Sequence, residues 1–385
     1  MAKTSSEPFG LSADQILIRD MASAFARDRL APHALAWDEA GHFPLDALRE
    51  AAALGFAGIY VSPARGGAGM SRLDAAIIFE ALAHGCPSIA AFLSIHNMVA
   101  CALDRFGSPD QNAQFMPELL NMEHIASYCL TEPGAGSDAA ALKTQARREG
   151  DYYLLDGVKQ FISGAGASAL YLVMARTGDR GAAGISAFLV DKATPGLSFG
   201  PNERKMGWRA QPTRQVIFEQ ARVPVANRLG EEGQGFRIAM SGLDGGRLNI
   251  SACSLGGAEA ALAKATDYLR QRHAFGQPLV DFQALQFRLA DSASALEAAR
   301  SLLWRAAAAL DADAANATQL CAMAKLVATD AGFAAANDAL QLMGGYGYLS
   351  DYGVEKIVRD LRVHQILEGT NEIMRVIIAR GLIRQ

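Results

Sequence analysis

The sequence predicts an α+β protein in three parts: an N-terminal α-helical domain, a middle antiparallel β domain and a C-terminal four-helix bundle. The spacing of apolar residues is helical in residues 1–122, changes to short β-prone runs in 123–231, and is helical again in 232–385. Prolines recur through the middle part, whereas the last part contains only Pro278. A chain of 385 residues is long enough for two or three domains with a substantial core.

The N-terminal part contains helical patterns with clear ends. We predict a helix over Asp20–Leu30, which ends before Pro32, and a second helix over Leu73–Ala83, which ends before Pro87. The segment 113–120 closes this part.

Short strands separated by glycine and proline are predicted for the middle part. Asp151–Ile162 contains two β-prone runs around Asp156-Gly157, a dipeptide that favours a hairpin turn, so we predict a β-hairpin there. Further strands are expected at Ala169–Ala175, Ile185–Val190 and Gln215–Phe218.

Long alanine-rich stretches make up the last part. One covers 236–272 and another covers 319–342, and between them leucines recur at helical spacing from Leu285 to Leu303. These stretches predict four long helices packed in one bundle.

The bulk composition excludes several classes of protein. A formal charge of −4 provides no basic face for nucleic acid. The 5 cysteines are scattered and never form a CxxC pair, which favours buried thiols in a reducing compartment, and no metal site is expected.

The start of the chain has no signal-peptide or transit-peptide pattern, and polar residues interrupt the longest uncharged window, Gly85–Leu103. We therefore expect a bacterial cytoplasmic protein, or a mitochondrial matrix protein in trimmed form.

Glycine-rich segments have structural explanations when each is taken alone. Residues 134–139 and 164–169 match the loose dinucleotide-binding pattern GxGxxG/A, but neither lies in a strand–turn–helix context, which disfavours a Rossmann fold. Gly344–Tyr348 follows a long helical stretch and is typical of a helix stop with a tight turn.

Two longer motifs point to a specific family. The segments Tyr128–Asp138 and Arg362–Arg375, in this order, closely resemble signature segments of the acyl-CoA dehydrogenase family. Shorter blocks at Phe161–Ser163, Arg272–Gly276 and Gln341–Gly345 match the same family, and the resemblance covers essentially the whole chain. It implies the same three-part architecture and an FAD-dependent desaturation of an acyl thioester.

This reaction explains why a carboxylate and a flavin are needed together. A base must remove a weakly acidic proton from Cα, and a flavin must accept the hydride from Cβ because no side chain can do so. A carboxylate in a dry pocket is a stronger base than one in water.

Glu368 is the predicted catalytic base. It follows the mainly apolar run Val363–Leu367 and precedes Gly369 and a helix that Thr370 or Asn371 can cap, so we expect it on a bend between helices. By resemblance it matches the family's base. Some members carry the base at the position that is Gly246 here, which leaves Glu368 without a rival.

The resemblance implies two groups of FAD contacts, one around the isoalloxazine ring and one around the pyrophosphate and adenosine. Ordinary alternatives are a strand core for Phe161 and Ile162 and a surface charge for Arg272. The predicted contacts are Tyr128, Leu130, Thr131, Ser137, Phe161, Ile162, Ser163, Arg272, Phe275, Gln283, Gln341, Gly344, Gly345, Thr370, Asn371 and Glu372.

The resemblance also implies an acyl-CoA site formed by Ser137, Asp244, Gly245, Gly246, Arg247 and Arg375. A helical arginine such as Arg375, three residues after Glu372, is often only part of a solvated ion pair. In the family some flavin contacts come from a neighbouring subunit, so a homotetramer (a dimer of dimers) is implied, with an electron-transferring flavoprotein as the electron acceptor.

Within the family, several segments resemble the subgroup that oxidises isobutyryl-CoA to methacrylyl-CoA in valine catabolism. They are Ser94–Met98, Phe161–Gly166, Gln211–Arg214, Gly344–Leu349 and Arg362–Glu368. Asp244 departs from that subgroup, which tends to have asparagine there. One methylene changes binding by only about 1–3 kcal/mol. Short straight-chain and 2-methylbutyryl-CoA therefore stay open as substrates, and an acyl-CoA oxidase is a more distant alternative.

Overall fold

The computed structural model describes residues 10–179 and 181–383. Residues 1–9 lie outside the described residues, and with them most of the N-terminal segment for which the sequence predicts no targeting peptide. The helices of the first part are α1 (Ala13–Phe25), α2 (Ala34–Ala40), α3 (Leu45–Ala53), α4 (Arg72–Gly85), α5 (Pro87–Phe106) and α6 (Pro109–Leu120).

The first helix begins earlier than the sequence patterns predict. Ser12 caps α1 by accepting a hydrogen bond from the Gln15 backbone N–H, and the Gln15 side chain binds back to the Ser12 N–H. The helix continues as a π-helical segment over Ala26–Leu30. The predicted end at Leu30 is therefore correct, and the predicted start at Asp20 is wrong because the Ser12–Gln15 capping box starts the helix at Ala13.

Helix α5 is the central helix of the N-terminal part. By length and composition it could cross a membrane, but 78% of its most apolar window is buried inside the protein. Its polar residues His96 and Asn97 are fully buried and bind backbone groups of neighbouring segments. The apolar composition of α5 is thus explained by its packing inside the protein.

The middle part is an eight-stranded sheet with the order β6-β7-β3-β2-β4-β5-β8, and β1 pairs with β4. The strands are β1 (Ala126–Cys129), β2 (Gln145–Glu149), β3 (Tyr152–Ser163), β4 (Leu170–Arg176), β5 (Ile185–Asp191), β6 (Leu197–Phe199), β7 (Thr213–Pro224) and β8 (Arg228–Leu229). The predicted purely antiparallel domain needs a correction, because β1 and β2 both pair with β4 in parallel. The long connections that contain β2 and β3 make such pairing possible.

The predicted hairpin around Asp156-Gly157 is wrong. Both residues lie inside β3, at a bulge in its pairing with β7. The actual tight turn is Gly150-Asp151, which joins β2 to β3. Gly157 has a φ of +147°, and a Cβ there would lie 2.6 Å from the Thr144 hydroxyl, so the glycine serves close packing instead of a turn.

The C-terminal part is built on three long helices, α7 (Gly235–Gln271), α8 (Gln283–Asp311) and α9 (Ala317–Leu342). A short hairpin of β9 (His273–Ala274) and β10 (Gln277–Pro278) separates α7 from α8. The fourth member of the bundle is α11 (Asn371–Ile383), which packs on α9 and has only 13 residues; α10 (Val354–Arg362) precedes it. The predicted bundle is therefore correct except that its last helix is short.

One apolar core joins the first and last parts. It contains buried residues of α1, α4, α5, α7, α8 and α9, many of them alanines that allow the helices to approach closely. A second cluster packs α5 and α6 against one face of the sheet, and a third covers the other face. The link between α10 and α11 lies where α7 and α9 meet, and this link carries the candidate site.

Candidate active site

Glu368 lies on a bend between two helices, as its sequence context predicts. A 3₁₀ turn over Val363–Gln365 follows α10, and Glu368 and Gly369 then adopt left-handed backbone conformations with φ of 56° and 89°. The Thr370 hydroxyl accepts a hydrogen bond from the Ile373 N–H at 3.3 Å and so caps α11. Asn371, the other predicted cap, instead directs its side chain to α9.

The Glu368 carboxylate lies in a dry environment. Its Oε2 atom is inaccessible to solvent and has no hydrogen-bond partner among the described residues, although other atoms of the residue keep the whole side chain only half-buried. Burial raises the pKa of Glu368 to about 7, and the positive charges of Arg247 and Lys325 partly offset this rise. The group can therefore exchange a proton near neutral pH.

Gly246 on α7 forms the surface against which this carboxylate packs. A Cβ at Gly246 would lie 2.6 Å from Glu368 Oε2 and 2.8 Å from Met98 Sδ. No side chain fits at this position while Glu368 holds its present place. The two alternative positions for the base thus occupy the same space, and this chain fills that space from position 368.

Arg247 supports the backbone of the same turn. Its side chain is 5% exposed, its Nη1 donates to Asp244 Oδ1 at 2.6 Å, and its Nε donates to the Glu368 carbonyl at 3.3 Å. The Thr318 hydroxyl donates to the other oxygen of Asp244 at 2.6 Å. Arg247, predicted to meet CoA, is therefore buried and directed at Glu368 in this structure.

The remaining predicted acyl-CoA contacts are either exposed to solvent or packed within the protein on α7. Ser137 is exposed on the loop after β1, and Gly245 packs against the Arg72 guanidinium. The Arg375 side chain is 56% exposed and lies 3.6 Å from Asp330, so it forms an exposed ion pair, although with an acid of α9 and not of its own helix.

Sequence reasoning missed Lys325. This residue is fully buried on α9, and its Nζ donates to the Gly369 carbonyl at 2.8 Å and to Asn371 Oδ1 at 2.7 Å. The available signal was a single basic residue in the long apolar stretch 317–342. The sequence does not show which residues lie close to a single lysine on an alanine-rich helix. The contact of Lys325 with the Glu368 turn is therefore visible only in the folded structure.

The ends of β1 and β3 bring the predicted ring contacts together. Gln160 N–H donates to the Thr131 carbonyl at 2.8 Å, and the Ser127 hydroxyl donates to the Ser163 carbonyl at 2.6 Å. Phe161 has a left-handed φ of 59° and a side chain 64% exposed, whereas Ile162 is 2% exposed. The strand-core alternative therefore applies to Ile162 and not to Phe161.

Tyr128 connects this edge to the helix bearing Gly246. Its hydroxyl donates to the Ala239 carbonyl on α7 at 3.2 Å. Burial raises the pKa of Tyr128 well above its usual value, and the negative charge of Glu368 acts in the same direction. Tyr128 thus stays a neutral phenol, and the predicted contact Leu130 is buried.

The second predicted group of flavin contacts lies on an exposed surface. Phe275 at the tip of the β9–β10 hairpin is 95% exposed, and Arg272 lies with its guanidinium 5.8 Å from the centre of the Tyr346 ring. The other members, which are also exposed, are Gln283, Gln341, Gly344 and Gly345. Among the described residues, no hydrogen bond or ion pair joins this group to the β1 and β3 edge within one chain.

The residues present fit FAD. The exposed ring of Phe161, two residues before the half-buried Ser163, offers an apolar surface for a flat ring system. Arg272 and the glycine-rich turn at Gly344-Gly345 provide a charge and accessible backbone for a pyrophosphate. Thr370 and the exposed Glu372 lie beside the base, and the backbone N–H and the Thr370 hydroxyl lower the pKa of Glu372.

Family models match nearly the whole chain. Residues 12–123 match the acyl-CoA dehydrogenase N-terminal domain, residues 127–221 the middle domain, and residues 233–383 the C-terminal domain. The three matches follow the order of the helical, β and helical parts described above.

Curated relatives align over almost the full length. The mitochondrial isobutyryl-CoA dehydrogenases of Bos taurus and Dictyostelium discoideum are each 56% identical, over 98% and 97% of this chain and 90% of each relative. The mitochondrial short-chain specific acyl-CoA dehydrogenase of Rattus norvegicus is 41% identical over 96% of this chain and 90% of its own length.

Solved structures share the fold closely. Butyryl-CoA dehydrogenase from Megasphaera elsdenii superposes with a TM-score of 0.95 at 38% identity, covering 98% of this chain and 100% of its own. A chain from work on the electron transferring flavoprotein of Acidaminococcus fermentans has a TM-score of 0.96 at 39% identity, with 98% and 100% coverage. PigA with FAD and proline has a TM-score of 0.95 at 32% identity, with the same coverage.

Proposed function

The chain belongs to the acyl-CoA dehydrogenase family, whose members are FAD-dependent oxidoreductases acting on CH–CH bonds, and we propose that it oxidises isobutyryl-CoA to methacrylyl-CoA. The 56% identity with two isobutyryl-CoA dehydrogenases supports this substrate. The same likeness favours a place in valine breakdown and an electron-transferring flavoprotein as acceptor.

The observation that carries the proposed mechanism is the solvent-inaccessible Oε2 of Glu368, which none of the described residues hydrogen-bonds. Glu368 removes the Cα proton of the thioester, and the carboxylate becomes a carboxylic acid. Bound FAD supplies the hydride acceptor that no side chain provides. Because burial raises the pKa of Glu368 to about 7, the carboxylate is a stronger base than a solvated glutamate and is still largely ionised slightly above neutral pH.

Other residues position the reactants and exclude water. The Glu368 main chain is held by Arg247, and the Glu368 N–H is available to polarise the thioester carbonyl. Tyr128, Thr131, Phe161 and Ser163 would line the flavin ring, and Ser137 would contact the pantetheine from the exposed loop after β1.

The exposed second group of predicted contacts suggests how copies of the chain could assemble. We propose that Arg272, Phe275 and Gln341 complete the flavin site of a neighbouring copy in a homotetramer. Their exposure in one chain, and the absence of a hydrogen bond or ion pair to the ring-lining edge among the described residues, support this assignment. The proposed location is the bacterial cytoplasm or the mitochondrial matrix, which is compatible with relatives that include two mitochondrial enzymes and one from Bacillus subtilis.

Anaerobic reduction of the bound flavin tests the substrate. The purified yellow protein is mixed separately with isobutyryl-CoA, butyryl-CoA and 2-methylbutyryl-CoA, and bleaching of the flavin absorbance is followed by stopped flow. We expect isobutyryl-CoA to bleach the flavin fastest. Much faster bleaching by butyryl-CoA would favour the short-chain alternative that the 41% identical relative suggests, and would leave the reaction class intact.

A further inference from the structure

Resting on the proposed function, we propose that Lys325 is a positioning residue for the reaction. It holds the turn that carries Glu368 and brings a buried positive charge to that turn. Neither the sequence motifs nor the predicted contacts included this residue.

The contacts of Lys325 tie two sides of the turn to α9. Its side chain is 0% exposed, and its ammonium donates to the Gly369 carbonyl at 2.8 Å and to Asn371 Oδ1 at 2.7 Å. The Asn371 amide also donates to Thr329 at 3.0 Å and to Asp330 at 2.7 Å. One buried cation therefore fixes the residues immediately after Glu368 to a long, rigid helix.

The turn needs such support because its backbone is strained. Glu368 has a φ of 56°, a left-handed conformation that a residue with a side chain rarely adopts. Strained conformations persist only where the surroundings fix them. Arg247 holds the Glu368 carbonyl from α7, and Lys325 holds the Gly369 carbonyl from α9, so the two cations clamp successive peptides.

The charge of Lys325 has no directly bonded counterion. Its two acceptors are a carbonyl and an amide oxygen, and no carboxylate forms an ion pair with it in the described part of the chain. The charged groups that act on it are Glu368, Arg247, Asp330 and Glu372. Burial lowers the pKa of Lys325 to about 7, and the negative charge of Glu368 is the largest influence in the opposite direction.

A purely structural tie would not need a charge. A neutral donor would satisfy the Gly369 carbonyl at a lower desolvation cost than a buried ammonium. The ammonium form favours the ionised form of Glu368, which is the form that accepts a proton from substrate. Lys325 therefore both holds the turn through hydrogen bonds and, through its charge, lowers the pKa of Glu368.

Three substitutions of Lys325 separate charge from geometry. Lys325→Met removes both donor and charge, Lys325→Gln keeps a donor without the charge, and Lys325→Arg keeps the charge. Thr329→Val is the matched control, because it removes a hydroxyl bonded to Asn371 one turn away and leaves the ammonium in place. For each holoenzyme, the rate of anaerobic flavin bleaching by isobutyryl-CoA is measured across pH, together with flavin content and Tm.

We expect the midpoint of the acid limb to rise by roughly one pH unit in Lys325→Met and Lys325→Gln. Below the midpoint this shift corresponds to a roughly tenfold slower reaction at a given pH. Lys325→Arg and Thr329→Val should keep the wild-type midpoint. If Lys325→Met does not fold, Lys325→Gln provides the same comparison with a hydrogen-bond donor retained.

One result would overturn the inference, and a different result would overturn the proposed function on which it rests. An unchanged midpoint in Lys325→Gln or Lys325→Met, with only Tm or flavin content lowered, would reduce Lys325 to a structural tie. A wild-type enzyme whose flavin no acyl-CoA bleaches would instead contradict the proposed function itself.

Discussion

The backbone of Glu368 adopts a left-handed conformation that costs a non-glycine residue about 1–3 kcal/mol. The structure maintains it through cations on two different helices, which hold the Glu368 and Gly369 carbonyls. This arrangement directs the carboxylate away from solvent and onto Gly246. At the scale of single residues, the site therefore depends on a bend, a glycine and two buried cations.

The first prediction concerns pH. Because burial raises the pKa of Glu368 to about 7, the carboxyl is protonated below that pH and cannot act as a base. The rate of flavin bleaching should fall about tenfold per pH unit below pH 7 and level off above it. Stopped-flow measurements across pH check this; a rate that stays constant down to about pH 5 would contradict a buried base.

The second prediction concerns Gly246. In Gly246→Ala, the new Cβ would lie 2.6 Å from Glu368 Oε2, so the carboxylate must move. We expect bleaching to slow by about 10–100-fold, because small misplacements of reacting groups have large effects on rate. Gly242→Ala is the matched control one turn earlier on α7, where the nearest atom would be 3.8 Å away. Equal rates in the two variants would contradict the packing described for Glu368.

At the scale of elements, the structure shows why one strong local signal failed. Asp156-Gly157 is typical of a two-residue hairpin, but Gly157 lies in the 12-residue strand β3, where it allows close approach to Thr144. Gly157 is needed for its tertiary packing against Thr144, which lies thirteen residues away in sequence. The local Asp-Gly pattern could not predict this contact.

The third prediction tests this assignment of Gly157. Gly157→Ala introduces a Cβ at φ +147° and 2.6–2.9 Å from Thr144, so it should lower the free energy of unfolding by about 2–3 kcal/mol. Gly150→Asn is the control, since Gly150 lies in the true turn with open space around it and asparagine tolerates its φ of +60°. Urea unfolding of both variants makes the comparison; a larger effect at Gly150 than at Gly157 would contradict the close packing described for Gly157.

The sequence allowed the long helices and the position of Glu368 to be predicted, because both depend on local spacing and motif context. The fold class and the family are confirmed. Contacts between distant elements could not be predicted in this way. Lys325 on α9 and the Arg247 contact with Glu368 both depend on how α7 and α9 meet the α10–α11 link.

At the scale of the whole molecule, the predicted flavin contacts divide into a ring-lining edge and an exposed surface. Phe275 is 95% exposed in one chain, which is unusual for a phenylalanine unless another surface covers it. The division agrees with the proposed assembly, in which one copy completes the cofactor site of another.

The fourth prediction follows from this division. Arg272→Ala and Phe275→Ala should lower the amount of FAD retained per chain while leaving chain folding intact, because both side chains are exposed. Arg270→Ala is the control, since Arg270 is an exposed neighbour paired with Asp267. Flavin absorbance per chain and light scattering give the readout. Full flavin content in both test variants would contradict the shared site.

The most direct test of the central claim is anaerobic flavin bleaching by Glu368→Gln. The amide is nearly isosteric with the carboxyl and cannot accept the substrate proton, so the variant should purify with normal flavin content and bleach about 10²–10⁴-fold more slowly than wild type. If Glu368→Gln bleached at close to the wild-type rate with isobutyryl-CoA, Glu368 would not be the base, and the account of this site would be wrong.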